Sequence, residues 1–190
     1  MPFKLTSLEI PDVILIEPKI FTDGRGCFME SFKASDFQKA NLPAHFVQDN
    51  FSFSRKNVLR GLHYQKSPHA QGKLVLTLKG CVWDVAVDLR RTSPTFKQWV
   101  AAELSDANHA MLYIPPGFAH GFVSMEDGSE LQYKCTAEYH GPSEGGILWN
   151  SPALGIAWPI PAGETPILAS KDQQGKRLSE AEIYETKEMA

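Results

Sequence analysis

What most constrains this chain is the rhythm of its middle section, where short runs rich in β-branched and aromatic residues are cut at close intervals by turn residues. The runs cover Cys27 to Phe32, Phe46 to Ser54, Leu74 to Leu78, Cys81 to Asp88, Trp99 to Leu104, Met111 to Ile114 and Leu131 to Thr136. Each is long enough for one strand and too short for a packed helix, so the spacing predicts a mainly β fold of the sandwich or barrel type. Helix signals are sparse. Ser35 with Gln38, and Ser179 with Glu182, have capping-box spacing and predict short helices over residues 36–40 and 180–187. Pro and Gly crowd the stretch from Gly141 to Pro166, which reads as irregular chain wrapped around the strands.

Side-chain alternation sorts the faces of two of these strands. From Cys81 to Leu89, Trp83, Val85, Val87 and Leu89 share one face, whereas Asp84 and Asp88 lie with Val82 and Ala86 on the other. A wholly apolar face belongs in a core; one that mixes carboxylates with small apolar residues suits a cavity wall. In the preceding run Leu74, Leu76 and Leu78 oppose Lys73, Val75, Thr77 and Lys79, which puts Lys73 on a partly polar face. Gly80 between the two runs predicts a hairpin.

Such a fold needs a core. With 190 residues, 43% of them apolar, the chain can build one without disulfides or a structural metal, and residues 1–190 are expected to form a single domain. The formal net charge of -3 and pI near 6.1, with Lys and Arg scattered, argue against a surface built for nucleic-acid phosphates. Cys27, Cys81 and Cys135 make an odd set without a C-x-x-C pair, which predicts reduced thiols and a cytoplasmic setting. The N-terminus shows no basic segment followed by a long apolar core, and the run Val13 to Ile16 is far too short to span a bilayer, so neither export nor membrane insertion is expected.

One turn carries chemistry. The segment Pro115-Pro116-Gly117-Phe118-Ala119-His120 is similar to the second motif of cupins, in which a Pro-Gly turn aims a histidine into a small β-barrel. A metal-binding cupin also offers His-x-His and a following Glu, because a divalent ion needs three or more converging donors. Here the corresponding run is His63-Tyr64-Gln65 with no carboxylate close behind, so the ligand set is broken and no metal is expected.

Two longer runs, Gln48-Asp49-Asn50-Phe51-Ser52 and Val58-Leu59-Arg60-Gly61-Leu62-His63-Tyr64-Gln65, resemble the dTDP-4-dehydrorhamnose 3,5-epimerase family of the cupin superfamily. The resemblance continues through Asp84 to Arg90, the Pro-Pro-Gly-Phe-Ala-His turn, Tyr133-Lys134-Cys135-Thr136, Glu144-Gly145-Gly146-Ile147 and Ser170-Lys171-Asp172, in the family's order. It implies a cupin-type jelly roll with a few short peripheral helices. It also implies a cofactor-independent isomerase that converts dTDP-4-dehydro-6-deoxy-D-glucose to dTDP-4-dehydro-L-rhamnose by inverting C3 and C5. A homodimer is implied too, with N-terminal residues reaching a neighbouring subunit's site, working in dTDP-rhamnose biosynthesis for bacterial cell-surface polysaccharide.

Inverting a carbon beside a ketone needs a base on one face, a group that holds the enolate, and an acid on the other face. His63 is the natural base, since imidazole titrates near neutrality and a carboxylate on its second nitrogen would fix its tautomer; the resemblance makes Asp172 that carboxylate. Lys73, on the cavity-side parity of its strand, can stabilise charge growing on the ketone oxygen, and the family pattern gives it a substrate contact too. The acid role of Tyr133 comes from the resemblance alone. So do the substrate contacts Arg25, Glu30, Gln48, Asn50, Arg60, His120, Glu144 and Lys171, and the stacking of Tyr139 on the thymine ring. Arg25, Arg60 and Lys171 suit a diphosphate.

On a regular strand Arg60 and His63 point to opposite faces, so both can serve one cavity only if the pleating breaks between them, and Gly61 is the expected bulge. Asp84 reads as the structural partner of a buried histidine such as His120. His45, His69, His109 and His140 sit beside turn residues outside every motif and are given no role, and the three cysteines read as small apolar strand residues. Alternatives to the double epimerase are a single-site epimerase on a related nucleotide-linked keto sugar, a non-catalytic sugar-nucleotide binder, and a metal-dependent cupin oxygenase, which the missing His-x-His disfavours.

Overall fold

The computed structural model describes residues 2–185. Strands β1 (Phe3–Ser7), β2 (Ile14–Pro18), β3 (Phe21–Asp23) and β4 (Gly26–Phe28) are followed by helix α1 (Ala34–Lys39). Then come β5 (Gln48–Ser54), β6 (Leu59–Gln65), β7 (Lys73–Lys79), β8 (Cys81–Asp88), β9 (Trp99–Ser105), β10 (Met111–Ile114), β11 (Phe118–Ser124), β12 (Ser129–Cys135) and β13 (Glu144–Gly146), with a short helix α2 (Ser170–Gln173) near the end. A six-stranded sheet has the order β1-β2-β10-β7-β12-β5, a five-stranded sheet the order β13-β6-β11-β8-β9, and β3-β4 form a separate two-stranded ribbon. From β5 onward the chain passes back and forth between the two large antiparallel sheets, except at the β8-β9 pair. This is jelly-roll connectivity, as the cupin resemblance implies.

The alternation of side chains explains the layering. Between the sheets, Val75, Leu112, Ile114 and Leu131 of one meet Val82, Ala86, Val100, Leu104, Phe118 and Phe122 of the other. The outer face of the five-stranded sheet is apolar as well, and Leu62, Tyr64, Val85, Val87 and Leu89 are covered by Ile147, Leu154, Leu178 and Tyr184 of the C-terminal wrap. Outside the six-stranded sheet, Leu74, Leu76, Met111 and Tyr113 pack with Phe3 of β1 and Phe37 of α1. Cys81 to Asp88 therefore has the two faces read from its sequence, one buried under the wrap and one lining the interior. Among the described residues, no helix is long and apolar enough to cross a membrane.

Several local expectations give way to tertiary packing. β7 and β8 are not a hairpin: Gly80, with φ +75°, is a corner at which the chain leaves one sheet for the other. The strand read from Cys27 to Phe32 stops at Phe28, and Cys27 is exposed on the ribbon rather than packed. Ser35 does not cap α1, which begins two residues earlier than expected, at Ala34 after Lys33, without a side-chain cap; the helix is anchored instead by Phe37, whose ring lies edge-on to Phe3 and Phe32. The helix expected over 180–187 is a single 3-10 turn at Leu178–Glu180 followed by extended chain, because Leu178 and Tyr184 are buried beneath the wrap; residues 186 and 187 lie outside the described residues.

The break expected at Gly61 is present. β11 pairs His120 with His63 and Phe122 with Arg60, so the single residue Gly121 faces both Gly61 and Leu62, and the register shifts there. Gly61 has φ +131°, and a Cβ on it would lie 2.5 Å from Gly121 Cα and 2.9 Å from the His120 carbonyl oxygen. Gly61→Ala should therefore lower unfolding free energy by about 2 kcal/mol or more, measured by denaturant titration. Gly24→Ala, where a Cβ meets nothing within 4 Å, should change it by less than about 0.5 kcal/mol.

Candidate active site

The bulge turns both Arg60 and His63 inward. His63 Nε2 lies 2.6 Å from Asp172 Oδ1, joining β6 to α2 across 109 residues of sequence. The Asp172 side chain is 2% exposed and that of His63 is 26% exposed, so the imidazole bridges a buried carboxylate and an open cleft. His63 shares that cleft with Glu144, Gly146 and Lys171.

Next to His63 on β11, His120 Nε2 lies 2.9 Å and 3.0 Å from the two carboxylate oxygens of Asp84, and both residues are buried. Burial pushes the His120 imidazole below its ordinary value, only partly opposed by Asp84, and neighbouring Lys73 and His63 push the same way. The ring meets Tyr133 edge-on, with centroids 6.4 Å apart. Asp84 thus has the structural role expected of it, and it also adds negative charge beneath the cavity.

Lys73 and Tyr133 rise from the opposite wall. In the six-stranded sheet Lys73 pairs with Cys135, and Tyr133 with Val75 and Asn50, so these side chains share the inner face. Burial lowers the Lys73 ammonium below its usual range, while Cys135, Asp84 and Glu144 draw it back up. Among the described residues, no ion pair within 4.0 Å neutralises it. The Tyr133 phenol is pushed up, by burial first and then by Cys135, with Arg60 acting the other way. It therefore remains a proton-bearing group at neutral pH.

The remaining polar contacts run from the cavity to its rim. Gln48 Nε2 donates to Asn50 Oδ1 at 2.9 Å, and Asn50 Nδ2 donates to Cys135 Sγ at 3.4 Å. Cys135 joins the site although its sequence context gives it no role there; its alternation with Tyr133 on β12 is the signal that places it. At the rim, the Tyr139 phenol donates to Glu144 Oε2 at 3.1 Å and Lys171 Nζ donates to Glu144 Oε1 at 3.0 Å. Burial alone would raise the Glu144 carboxyl, but Lys171 and the Tyr139 hydroxyl outweigh it and hold it below the usual range. Arg60 donates to Ser54 Oγ and to the Phe53 carbonyl.

Two expected contacts are not brought in by this chain. Arg25 lies in the turn of the β3-β4 ribbon with its side chain 91% exposed and paired to Asp23, and Glu30 lies 3.8 Å from Lys33. Gln65, the last residue of His-x-Gln, directs its amide to backbone groups of His69, Glu138 and His140. Among the described residues, no three His, Cys, Asp or Glu side chains are grouped to hold a metal ion.

A family model described as dTDP-4-dehydrorhamnose 3,5-epimerase matches residues 7–180. The dTDP-4-dehydrorhamnose 3,5-epimerase of Salmonella typhimurium is 50% identical over 177 residues, covering 93% of this chain and 96% of that protein. In fold, the chain is similar to the dTDP-6-deoxy-D-glucose-3,5-epimerase of Legionella pneumophila solved in complex with dTDP-4-keto-L-rhamnose. The TM-score is 0.92 at 45% identity, covering 97% of this chain and 99% of that one. A 3'-monoepimerase from Streptomyces bikiniensis, solved in complex with dTDP-quinovose, is similar with TM-score 0.85 at 32% identity, covering 90% of this chain and 86% of that one. A match of this extent, together with a histidine, a lysine and a tyrosine gathered in one jelly-roll cavity, means that the chain belongs to the dTDP-4-dehydrorhamnose 3,5-epimerase family.

Proposed function

We propose that this protein epimerises dTDP-4-dehydro-6-deoxy-D-glucose at C3 and C5, giving dTDP-4-dehydro-L-rhamnose for dTDP-L-rhamnose biosynthesis, with its own side chains doing the proton transfer and no cofactor taking part. The observation that carries the reading is the placement of His63 on one sheet and of Tyr133 and Lys73 on the facing one. A sugar held between the walls has a base on one face and a proton donor on the other.

The steps follow from the contacts. Asp172 keeps a proton on His63 Nε2 and leaves Nδ1 with the lone pair that takes the hydrogen beside the ketone; the same carboxylate then stabilises the imidazolium. Charge moves onto the C4 oxygen, where the Lys73 ammonium on the opposite wall would stabilise it. Tyr133 returns a proton from the other face; His63 then releases the proton it took to solvent and Tyr133 regains one, so that the same steps at the second carbon complete the double inversion. Gln48, Asn50, Arg60, His120, Glu144 and Lys171 would hold the sugar and diphosphate, with Tyr139 against the thymine. A single-carbon epimerase would use the same groups; the higher identity to double epimerases, 50% against 32%, favours inversion at both carbons.

We also read the protein as a cytoplasmic homodimer. Phe28 of the ribbon is 65% exposed, and Phe51 and Phe53 on the outer face of edge strand β5 are 62% and 55% exposed, an apolar surface that a second copy would cover. Such a contact would carry Arg25 and Glu30 to the neighbour's substrate, where Arg25 suits the diphosphate.

His63→Ala should lower kcat by about 10³-fold or more, and Asp172→Asn by about 10²-fold, when dTDP-4-dehydro-L-rhamnose is followed by NMR; full activity in the histidine variant would remove the base assignment. Lys73→Met should lose about 10²- to 10³-fold in kcat, yet unfold at higher temperature than the parent at neutral pH. The sign follows from the folded-state pKa lying below the ordinary lysine value of 10.5: folding disfavours the ammonium at neutral pH, and the penalty fades as pH rises towards 10.5. The variant's advantage should therefore shrink in alkaline buffer. For the dimer, Arg25→Ala and His63→Ala chains, each impaired alone, should recover turnover when reassembled together. No recovery would mean that Arg25 does not serve a neighbouring site.

A further inference from the structure

The chain from Ala137 to His140 belongs to no strand or helix, yet its peptide groups are tied down by three glutamine side chains. Gln71 Nε2 donates to the Ala137 carbonyl at 2.7 Å. Gln65 Nε2 donates to the Glu138 carbonyl at 3.2 Å and to the His69 carbonyl at 2.6 Å, while its Oε1 accepts from the His140 amide at 2.6 Å. Gln48 Oε1 accepts from the Tyr139 amide at 2.7 Å. Four consecutive residues are thus held from below by side-chain amides. Neighbouring loops are locked together by the His69 and His140 rings, stacked with centroids 3.8 Å apart, and by His140 Nδ1 against Ser143 Oγ at 2.8 Å.

Glutamine suits such a clamp because one amide both donates and accepts. Gln65 is 4% exposed and uses both ends at once, which a carboxylate in the same place could not do. What the clamp presents is Tyr139, 58% exposed at the cavity rim. An unclamped surface loop would lose conformational freedom when a ligand settled on its aromatic ring; a clamped one has lost it already.

We propose that Gln65 and Gln71, together with Gln48, are positioning residues that hold the 137–140 segment so that Tyr139 offers a fixed ring face to the nucleobase. The proposal deepens the functional reading above and rests on its placement of Tyr139 against the base. The glutamine of His-x-Gln thereby organises the nucleotide end of the cavity.

The test is binding of dTDP alone, by calorimetry, and steady-state kinetics with the dTDP-keto sugar, for Gln65→Met, Gln71→Met, Tyr139→Ala and each glutamine variant combined with Tyr139→Ala. Each glutamine variant should raise the Kd for dTDP and the KM about three- to tenfold with kcat changed less than about twofold. Each double variant should bind dTDP no worse than Tyr139→Ala, because the clamp acts through that ring. Gln71 is only partly buried and tests the idea even if Gln65→Met fails to fold. If Tyr139→Ala weakens dTDP binding while the glutamine variants bind like the parent, the clamp is overturned and the stacking reading stands. If Tyr139→Ala binds dTDP like the parent, both are overturned.

Discussion

Two strands meet at a point where neither carries a side chain, and the arrangement of the cavity follows from that contact. Gly61 of β6 and Gly121 of β11 approach so closely that a Cβ on Gly121 would lie 2.8 Å from the Arg60 carbonyl oxygen. The extra residue in β6 shifts the pleat by one position. Upstream of the shift Arg60 faces inward; downstream His63 does. Leu62 and Tyr64 then face outward, where the C-terminal wrap packs on them. That wrap includes Ile147, whose amide and carbonyl exchange hydrogen bonds with Leu62, and the bridge from Ile147 to Lys176 leads back to the helix bearing Asp172. The carboxylate behind His63 is thus placed by the same slip that turns the imidazole inward.

The two sheets divide the chemistry. The five-stranded sheet contributes His63 and the buried His120–Asp84 pair; the six-stranded sheet contributes Lys73, Tyr133, Cys135 and the amides of Gln48 and Asn50. Enclosure between them lowers the lysine and raises the tyrosine, each shift favouring the neutral form of the side chain. For the phenol this preserves a proton to give. For the ammonium it creates a cation whose missing counter-charge an enolate would supply, so in the proposed mechanism the group that weakens the fold is the one that would help the reaction.

Face-level features were readable from the chain alone. Alternation within Cys81 to Asp88 separated the wall that holds Asp84 from the face under the wrap; once the family resemblance assigned Arg60 and His63 to one cavity, their opposed parity demanded a break at Gly61. Partnerships between distant segments were not readable from pattern. Strand alternation is blind to which sheet a strand joins, so the corner at Gly80 read as a hairpin turn. Only family resemblance linked His63 to Asp172, because the pair is 109 residues apart. Gln65 looked like a broken metal ligand because its partners are peptide groups of remote loops, which leave no trace in residue identity. Helix ends failed for another reason: one turn of helix gains so little that burial of Phe37, Leu178 and Tyr184 overrides capping preference.

Proton exchange at two carbons of one sugar, between a base and an acid on opposing walls, is tested most directly by labelling. The parent protein, His63→Ala and Tyr133→Phe would each be incubated with dTDP-4-dehydro-6-deoxy-D-glucose in deuterated water, and label at C3 and C5 followed by NMR. Opposing walls predict deuterium with inversion at both carbons for the parent and none for His63→Ala. For Tyr133→Phe they predict exchange that outpaces inversion, because the proton still leaves but no longer returns from the far side. Label at one carbon only, or undiminished exchange and inversion in both variants, would contradict this mechanism.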